Sequence, residues 1–258
     1  MTSVKKPRIA LLDELRGLCV VLMVVYHGFY TFGYYLDSEK LAPLSEACRF
    51  FFDYFMPVEP LFAGIFIFLC GLCCTLSRSN LKRGALLAAV AGGVTAVMAI
   101  GFPDDVIWFG VLHMLAVCIL LYALLHRVIA KIPGWAGALV CAVLLWLCWN
   151  LPVQYADGFF GIRNVWEVAV PRHVMEKTWL YPLGLGRING VQGDYFPLLP
   201  WIFCFFGGSF LGRYVHKLPP VLKRSHIPPL AFIGRHALVI YVVHQPVIFG
   251  IVSLVSGI

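Results

Sequence analysis

Apolar residues fill seven stretches of this chain, at about 9–35, 57–77, 84–101, 107–127, 134–150, 196–215 and 230–255, and polar residues gather between them. Runs of this length predict helices that cross a hydrocarbon layer, which takes roughly 20 apolar residues each. The expected fold is all-α and integral to a membrane, with about seven transmembrane helices in a single domain over 1–258. No internal repeat relates one half to the other, which argues against an inverted-repeat transporter.

The connections alternate in charge. One side carries Lys5, Lys6 and Arg8, then Arg78, Lys82 and Arg83, then Arg127 and Lys131, then Arg213, Lys217, Lys223 and Arg224. With Arg235 these are most of the 20 Lys and Arg, whereas only Asp13 and Glu14 of the 13 acids fall there. That side reads as cytoplasmic and places the N-terminus inside. Segment 36–56, the FPDD turn at 102–105 and the long connection 151–195 then face outward. SEACRFFFDYFM at 45–56 interleaves aromatics with charges and suits a short interfacial helix. A connection as long as 151–195 is a functional loop or lid, or else a passive connector.

Composition narrows the class. A 258-residue chain that is 60% hydrophobic and 13% charged is a polytopic membrane protein, not a soluble globule. The net charge of +7 could suggest nucleic acid, but its confinement to alternate loops assigns it to membrane orientation. The first span lacks a small-residue cleavage site and carries charge, so it is read as a mature helix. Most of the nine cysteines lie within apolar stretches, and only Cys48 falls in an expected loop. Their spacing matches neither a zinc site nor a disulfide framework, so no metal is expected.

Candidate chemistry starts in the first span. Arg16 and His27 are separated by ten residues, so eleven steps of about 100° put them within roughly 20° of one another on a helix, about 16 Å apart along its axis. Asp13 shares the stripe. Ionisable groups in a span cost several kcal/mol and mark function, so the stripe reads as a polar track. Pairing of Arg16 with Asp13 and a structural bond for His27 are the plainer alternatives. Gly17 permits close approach of a backbone or ligand. Further histidines fall within spans at His113, His236 and His244, the last followed by Gln245 and Pro246, where a kink is expected. Each could simply bond a neighbouring helix, but a central polar cavity would serve several at once. Asp53 and Glu59 flank the start of the second span and could orient an imidazole or bind substrate. DYFPLLPWIFCFFGGSFLGRY at 194–214 predicts a kinked, proline-marked entrance with Asp194 at its mouth.

LDELRG at 12–17 with His27, FIFLCG at 66–71, GVLHML at 110–115, DYFPLLPW at 194–201 and GRHALVIYVVHQP at 234–246 resemble the bacterial heparan-alpha-glucosaminide N-acetyltransferase catalytic-domain-like family. The resemblance runs from the first helix to the last. The Arg16/His27 spacing is also similar to the pair that opens O-antigen acetylase type acyltransferases. The resemblance implies transfer of an acyl group from cytoplasmic acyl-CoA (acetyl-CoA) to an extracytoplasmic sugar or amine, and it carries over to Arg16 and His27 only. The lysosomal enzyme that names the family uses a histidine in its first lumenal loop, whereas 36–56 has none here, and an Asn stands in that enzyme near the position of His27.

On this reading the coenzyme A phosphates meet Arg16, Lys82, Arg83, Arg213, Lys223 and Arg235, because basic groups suit phosphate. His27 is the general base, His113 or His244 orients it or stabilises the oxyanion, and Asp13 completes the track. Asp53, Glu59 and Asp194 are candidates for the acceptor. Partners are membrane lipid, acyl-CoA and the acceptor, with no nucleic acid and oligomeric state open. Two rivals use the same residues differently: a proton-coupled transporter with the histidines as a relay, and a non-enzymatic scaffold.

Overall fold

The computed structural model of the chain describes residues 9–36, 41–103, 106–189 and 194–256. Lys5, Lys6, Arg8 and the Asp104–Asp105 end of the FPDD turn lie outside them. In chain order the elements are α1 (Ala10–Tyr35), α2 (Ala42–Phe55), α3 (Glu59–Cys74), α4 (Asn80–Gly101), α5 (Val111–Ile129), α6 (Gly134–Leu147), β1 (Phe159–Ile162), β2 (Trp166–Ala169), α7 (Arg172–Met175), α8 (Leu198–Gly212), α9 (Pro228–Arg235) and α10 (Ala237–Ser256).

Among the described residues, five helical stretches are long and apolar enough to cross a membrane: Ala10–Tyr35, Ala42–Cys74, Asn80–Gly101, Val111–Ile129 and Ala237–Ser256. They make this a multi-pass membrane protein. The apolar helices α6 and α8 have 14 and 15 residues, reaching only about 21–23 Å. Seven apolar helices were expected from the sequence, and five have spanning length. The short helix expected over 45–56 is present as α2, which continues through a short 3₁₀ turn into α3, so that the two form one of the spanning stretches. Cys48, expected in a loop, is buried in α2.

The chain packs as two units, Met1–Phe66 with Lys217–Ile258, and Ile67–His216. In the first, α1 packs on α2, α9 and α10. Gly17 and Gly234 let α1 and α9 approach backbone to backbone, since a Cβ at Gly17 would meet the Leu230 carbonyl and one at Gly234 the Asp13 carbonyl. At the other end of α1, the Gly33 carbonyl accepts from Ser45 Oγ at 2.9 Å and Arg49 Nε at 2.6 Å, tying α2 down.

One helix was expected over 230–255, and there are two. Pro228 and Pro229 open α9. His236 closes it by sending its backbone N–H and its ring Nδ1 to the Phe232 carbonyl, at 3.3 and 2.9 Å. α10 then runs through Pro246 to Ser256 without a second break.

In the second unit, α5 packs on α4 and α8, and α6 on α8. Residues 67–74 press against α8 through Gly71 and Gly208, which face the carbonyls of Phe205 and Phe68. The kinked entrance of α8 is present: Leu199 leaves helical geometry (φ −92°, ψ 129°). Within the long connection, Leu151, Val153, Val170 and Met175 gather in a core with Cys148 at the end of α6, against which Leu199 and Phe203 of α8 pack. The connection contains an antiparallel hairpin pairing Phe159 with Ala169 and Ile162 with Trp166. The hairpin, two strands of four residues, is a small addition to a chain that is mostly helical, as expected. Asn164 turns the hairpin at φ 63°, a conformation that Asn tolerates better than most residues.

Candidate functional site

One stripe of α1 carries the groups that the helical period placed there. Arg16 and Asp13 form an ion pair at 3.1 Å, with side chains only 19% and 16% exposed. The same guanidinium nitrogen donates to the Gly234 carbonyl of α9 at 3.4 Å. A cation this far from water needs such partners, and the plainer reading of Arg16 is therefore part of the structure.

Farther along α1, His27 meets His244 of α10, ring centres 5.0 Å apart and planes at 52°. Tyr26 stands edge-on to His27 at 5.4 Å. His244 is 8% exposed, and its Nδ1 donates to the Tyr241 carbonyl at 2.6 Å. A carbonyl only accepts, so Nδ1 carries the proton and, in the neutral ring, Nε2 bears the lone pair. That Nε2 is buried without a hydrogen-bond partner, as are Thr31 Oγ1, one turn beyond His27, and Gln245 Oε1. Buried polar atoms are nearly always paired, so unpaired ones mark places where a hydrogen-bonding guest fits. Asp53 is exposed on α2, and Glu59 is half-buried at the start of α3.

His113, in the second unit, has both ring nitrogens occupied. The Gly110 N–H donates to Nδ1 at 3.3 Å, so Nε2–H donates to Thr95 Oγ1 at 3.1 Å, and the Thr95 hydroxyl donates to the Ile107 carbonyl at 2.6 Å. Asp194 Oδ2 accepts the Val111 N–H at 3.3 Å and caps the start of α5. Arg213 donates to the carbonyls of Ile132 and Ile129 at 2.7 and 3.0 Å, closing the other end of that helix. Lys82 and Arg83 are exposed, as is Arg235 in the first unit.

An open groove of about 270 Å³ in the second unit is walled by Trp149, Tyr155, Tyr195 and Trp201, with Gln154 and three prolines. Behind it Tyr195 stacks on Tyr181 at 4.3 Å and donates its hydroxyl to the Tyr181 carbonyl at 2.8 Å. No Asp, Glu, Lys or Arg among the described residues lines this groove.

The chain matches the family described as heparan-alpha-glucosaminide N-acetyltransferase, catalytic, over residues 8–246. It belongs to that family. No curated protein and no solved structure matches it.

Membership in the heparan-alpha-glucosaminide N-acetyltransferase catalytic family implies a transmembrane acetyltransferase. Of the sequence-derived candidates, the structure joins Asp13 to Arg16 and His27 to His244 within the first unit. It engages His113, Asp194 and Arg213 at the ends of α5. Among the described residues, no three of His, Cys, Asp and Glu stand close enough to hold a metal.

Sequence reasoning missed Glu14. Its Oε1 accepts Ser225 Oγ and the His226 N–H, each at 2.6 Å, and the Ile227 N–H at 2.8 Å. The signal available was SHIPPL at 225–230, where two prolines open a helix and the residue before them has no side chain able to cap it.

Proposed function

We propose that this protein transfers an acetyl or short acyl group from cytoplasmic acyl-CoA to an extracytoplasmic sugar bearing a hydroxyl or amine. The observation that carries the reading is the His27–His244 ring pair, on the α1 helix that also bears the Asp13–Arg16 ion pair, in a chain of an acetyltransferase family. The acceptor's lone pair attacks the thioester carbonyl, His27 takes the acceptor's proton, and the C–S electron pair leaves on sulfur, which is protonated to free coenzyme A. Basic residues on the side read as cytoplasmic, Lys82, Arg83, Lys223 and Arg235, suit the coenzyme A phosphates, and Arg16 is the cation closest in sequence to His27. Arg213 serves this role less well, because it is committed to helix-end carbonyls. The aromatic groove suits the flat apolar face of a sugar ring.

A proton-coupled transporter could use the same histidines but needs no thioester, and the family match weighs against it. The discriminating experiment is acetyl-CoA binding to purified protein in detergent, with Arg16→Ala alongside, followed by transfer of labelled acetyl to amino sugars in proteoliposomes. Micromolar binding, weakened in the variant, and label on the sugar support the reading. A folded protein that binds no acetyl-CoA overturns it.

A further inference from the structure

The His27–His244 pair contains a feature that single-base chemistry leaves unexplained. His244 presents a lone pair at Nε2 that is buried and unpartnered, and its tautomer is fixed from the other side by the Tyr241 carbonyl. A ring locked in this way cannot rotate to satisfy Nε2 without giving up a 2.6 Å bond. The ring packed beside that of His244 is His27 of α1. Two imidazoles joined by an N–H···N bond of ordinary length have their centres about 5 Å apart, and these centres are 5.0 Å apart. Among the described residues, the titratable side chains whose rings touch the pair are Tyr26 on α1 and Tyr241 on α10.

We infer that His244 is the proton-receiving positioning partner of His27, so that the two imidazoles form a relay. This rests on the acyltransferase reading above. As the acceptor's nitrogen or oxygen bonds to the thioester carbon, one His27 nitrogen takes its proton, and the opposite His27 nitrogen passes its own to His244 Nε2. His244 becomes an imidazolium held by the Tyr241 carbonyl. The C–S pair departs on sulfur, and the proton returns along the same path to give the free thiol. His244 thus resembles the third member of a triad in role, fixing the tautomer of the base it serves, but it is an imidazole in place of a carboxylate.

Two arms test the relay. In protein labelled with ¹⁵N-histidine, with the His244 signals assigned by their loss in His244→Gln, wild type should show His244 protonated at Nδ1 and unprotonated at Nε2. His27→Asn should shift the Nε2 resonance. An Nε2-protonated ring, or one indifferent to His27, overturns the relay whether or not the protein transfers acetyl. In the second arm, His244→Gln keeps an amide able to bond Tyr241 and should lose about 10²–10⁴-fold in kcat with acetyl-CoA affinity unchanged, while His244→Ala should regain part of its rate with added imidazole. Wild-type turnover in His244→Gln overturns the relay and leaves the transferase standing. Absence of transfer in wild type overturns the transferase reading itself, and the ¹⁵N arm still decides the pair.

Discussion

Glu14 Oε1, in the second turn of α1, accepts the backbone N–H of Ile227 at 2.8 Å and so caps a helix that begins more than two hundred residues later. Ile227 is the N-cap of α9 and has no side-chain acceptor of its own. The first N–H groups of a helix have no partner within it, and the carboxylate supplies one while placing negative charge at the positive end of the helix. Glu14→Ala strands two backbone N–H groups and the Ser225 hydroxyl. It should lower the melting temperature in detergent clearly more than Ser225→Ala, which removes one of the three donors. Equal melting temperatures for the two variants would show that the cap contributes nothing.

Tyr181 and Tyr195 form a second test, because two stacked phenols of the same connection should respond oppositely to loss of a hydroxyl. Tyr195 donates to the Tyr181 carbonyl, whereas the Tyr181 hydroxyl is buried with no partner. Tyr195→Phe should cost about 0.5–1.5 kcal/mol, and Tyr181→Phe should stabilise by up to about 1–3 kcal/mol, the penalty of an unsatisfied buried group. Both phenols are held above their usual pKa, Tyr181 by burial and then by Tyr195, Tyr155 and Asp194, Tyr195 by burial and then by Tyr155. Below about pH 10 folded and unfolded chains both keep these protons, and the contribution is fully present. Above it the unfolded chain releases them first, so stability falls as pH rises through the raised folded values. Chemical melts at pH 8 and pH 11 should show this loss in wild type and a smaller one in Tyr181→Phe.

The polar stripe of α1 was legible because a helix repeats on a fixed period, so the Arg16/His27 spacing alone placed both on one face. Which mid-span histidine meets that face was not legible, since His113 and His244 were equal candidates for it. Glu14's partners lie at the far end of the chain, and no local rule connects them to it. Composition hid the hairpin as well: FFGI and WEVA alternate only weakly in a chain where most positions are apolar, and length alone marked 151–195 as unusual. The break at His236 was missed because Gly234, Arg235 and His236 interrupt the apolar pattern for only three positions, which a continuing helix also tolerates.

His113 and His27 looked alike from sequence and should behave differently. His113 has both nitrogens bonded within its own unit, so His113→Ala leaves Thr95 and the Gly110 N–H to find new partners, at about 1–3 kcal/mol of stability. The fraction that remains folded should keep its kcat. His27→Ala should instead lose about 10²–10⁴-fold in kcat, the usual worth of a general base, with little change in melting temperature. Thermal melts read beside single-turnover rates separate the two roles, and a catalytic loss in both variants at full stability would return His113 to the chemistry.

Trp149 is 45% exposed on the wall of the aromatic groove, and its ring meets Trp201 edge-on at 5.6 Å, which holds its plane without help from a ligand. A flat ring fixed before binding loses little entropy when a sugar covers it, and such a contact is worth about 1 kcal/mol. With no charged side chain among the lining residues described, the contact distinguishes ring shape more than charge. Trp149→Ala should therefore raise KM for the sugar about fivefold, with kcat and the affinity for acetyl-CoA held. Trp149→Phe, which keeps a ring, should recover most of the loss. If KM for the sugar is unmoved in both variants while kcat falls, the groove serves the folding of the 151–195 connection and the acceptor is held elsewhere.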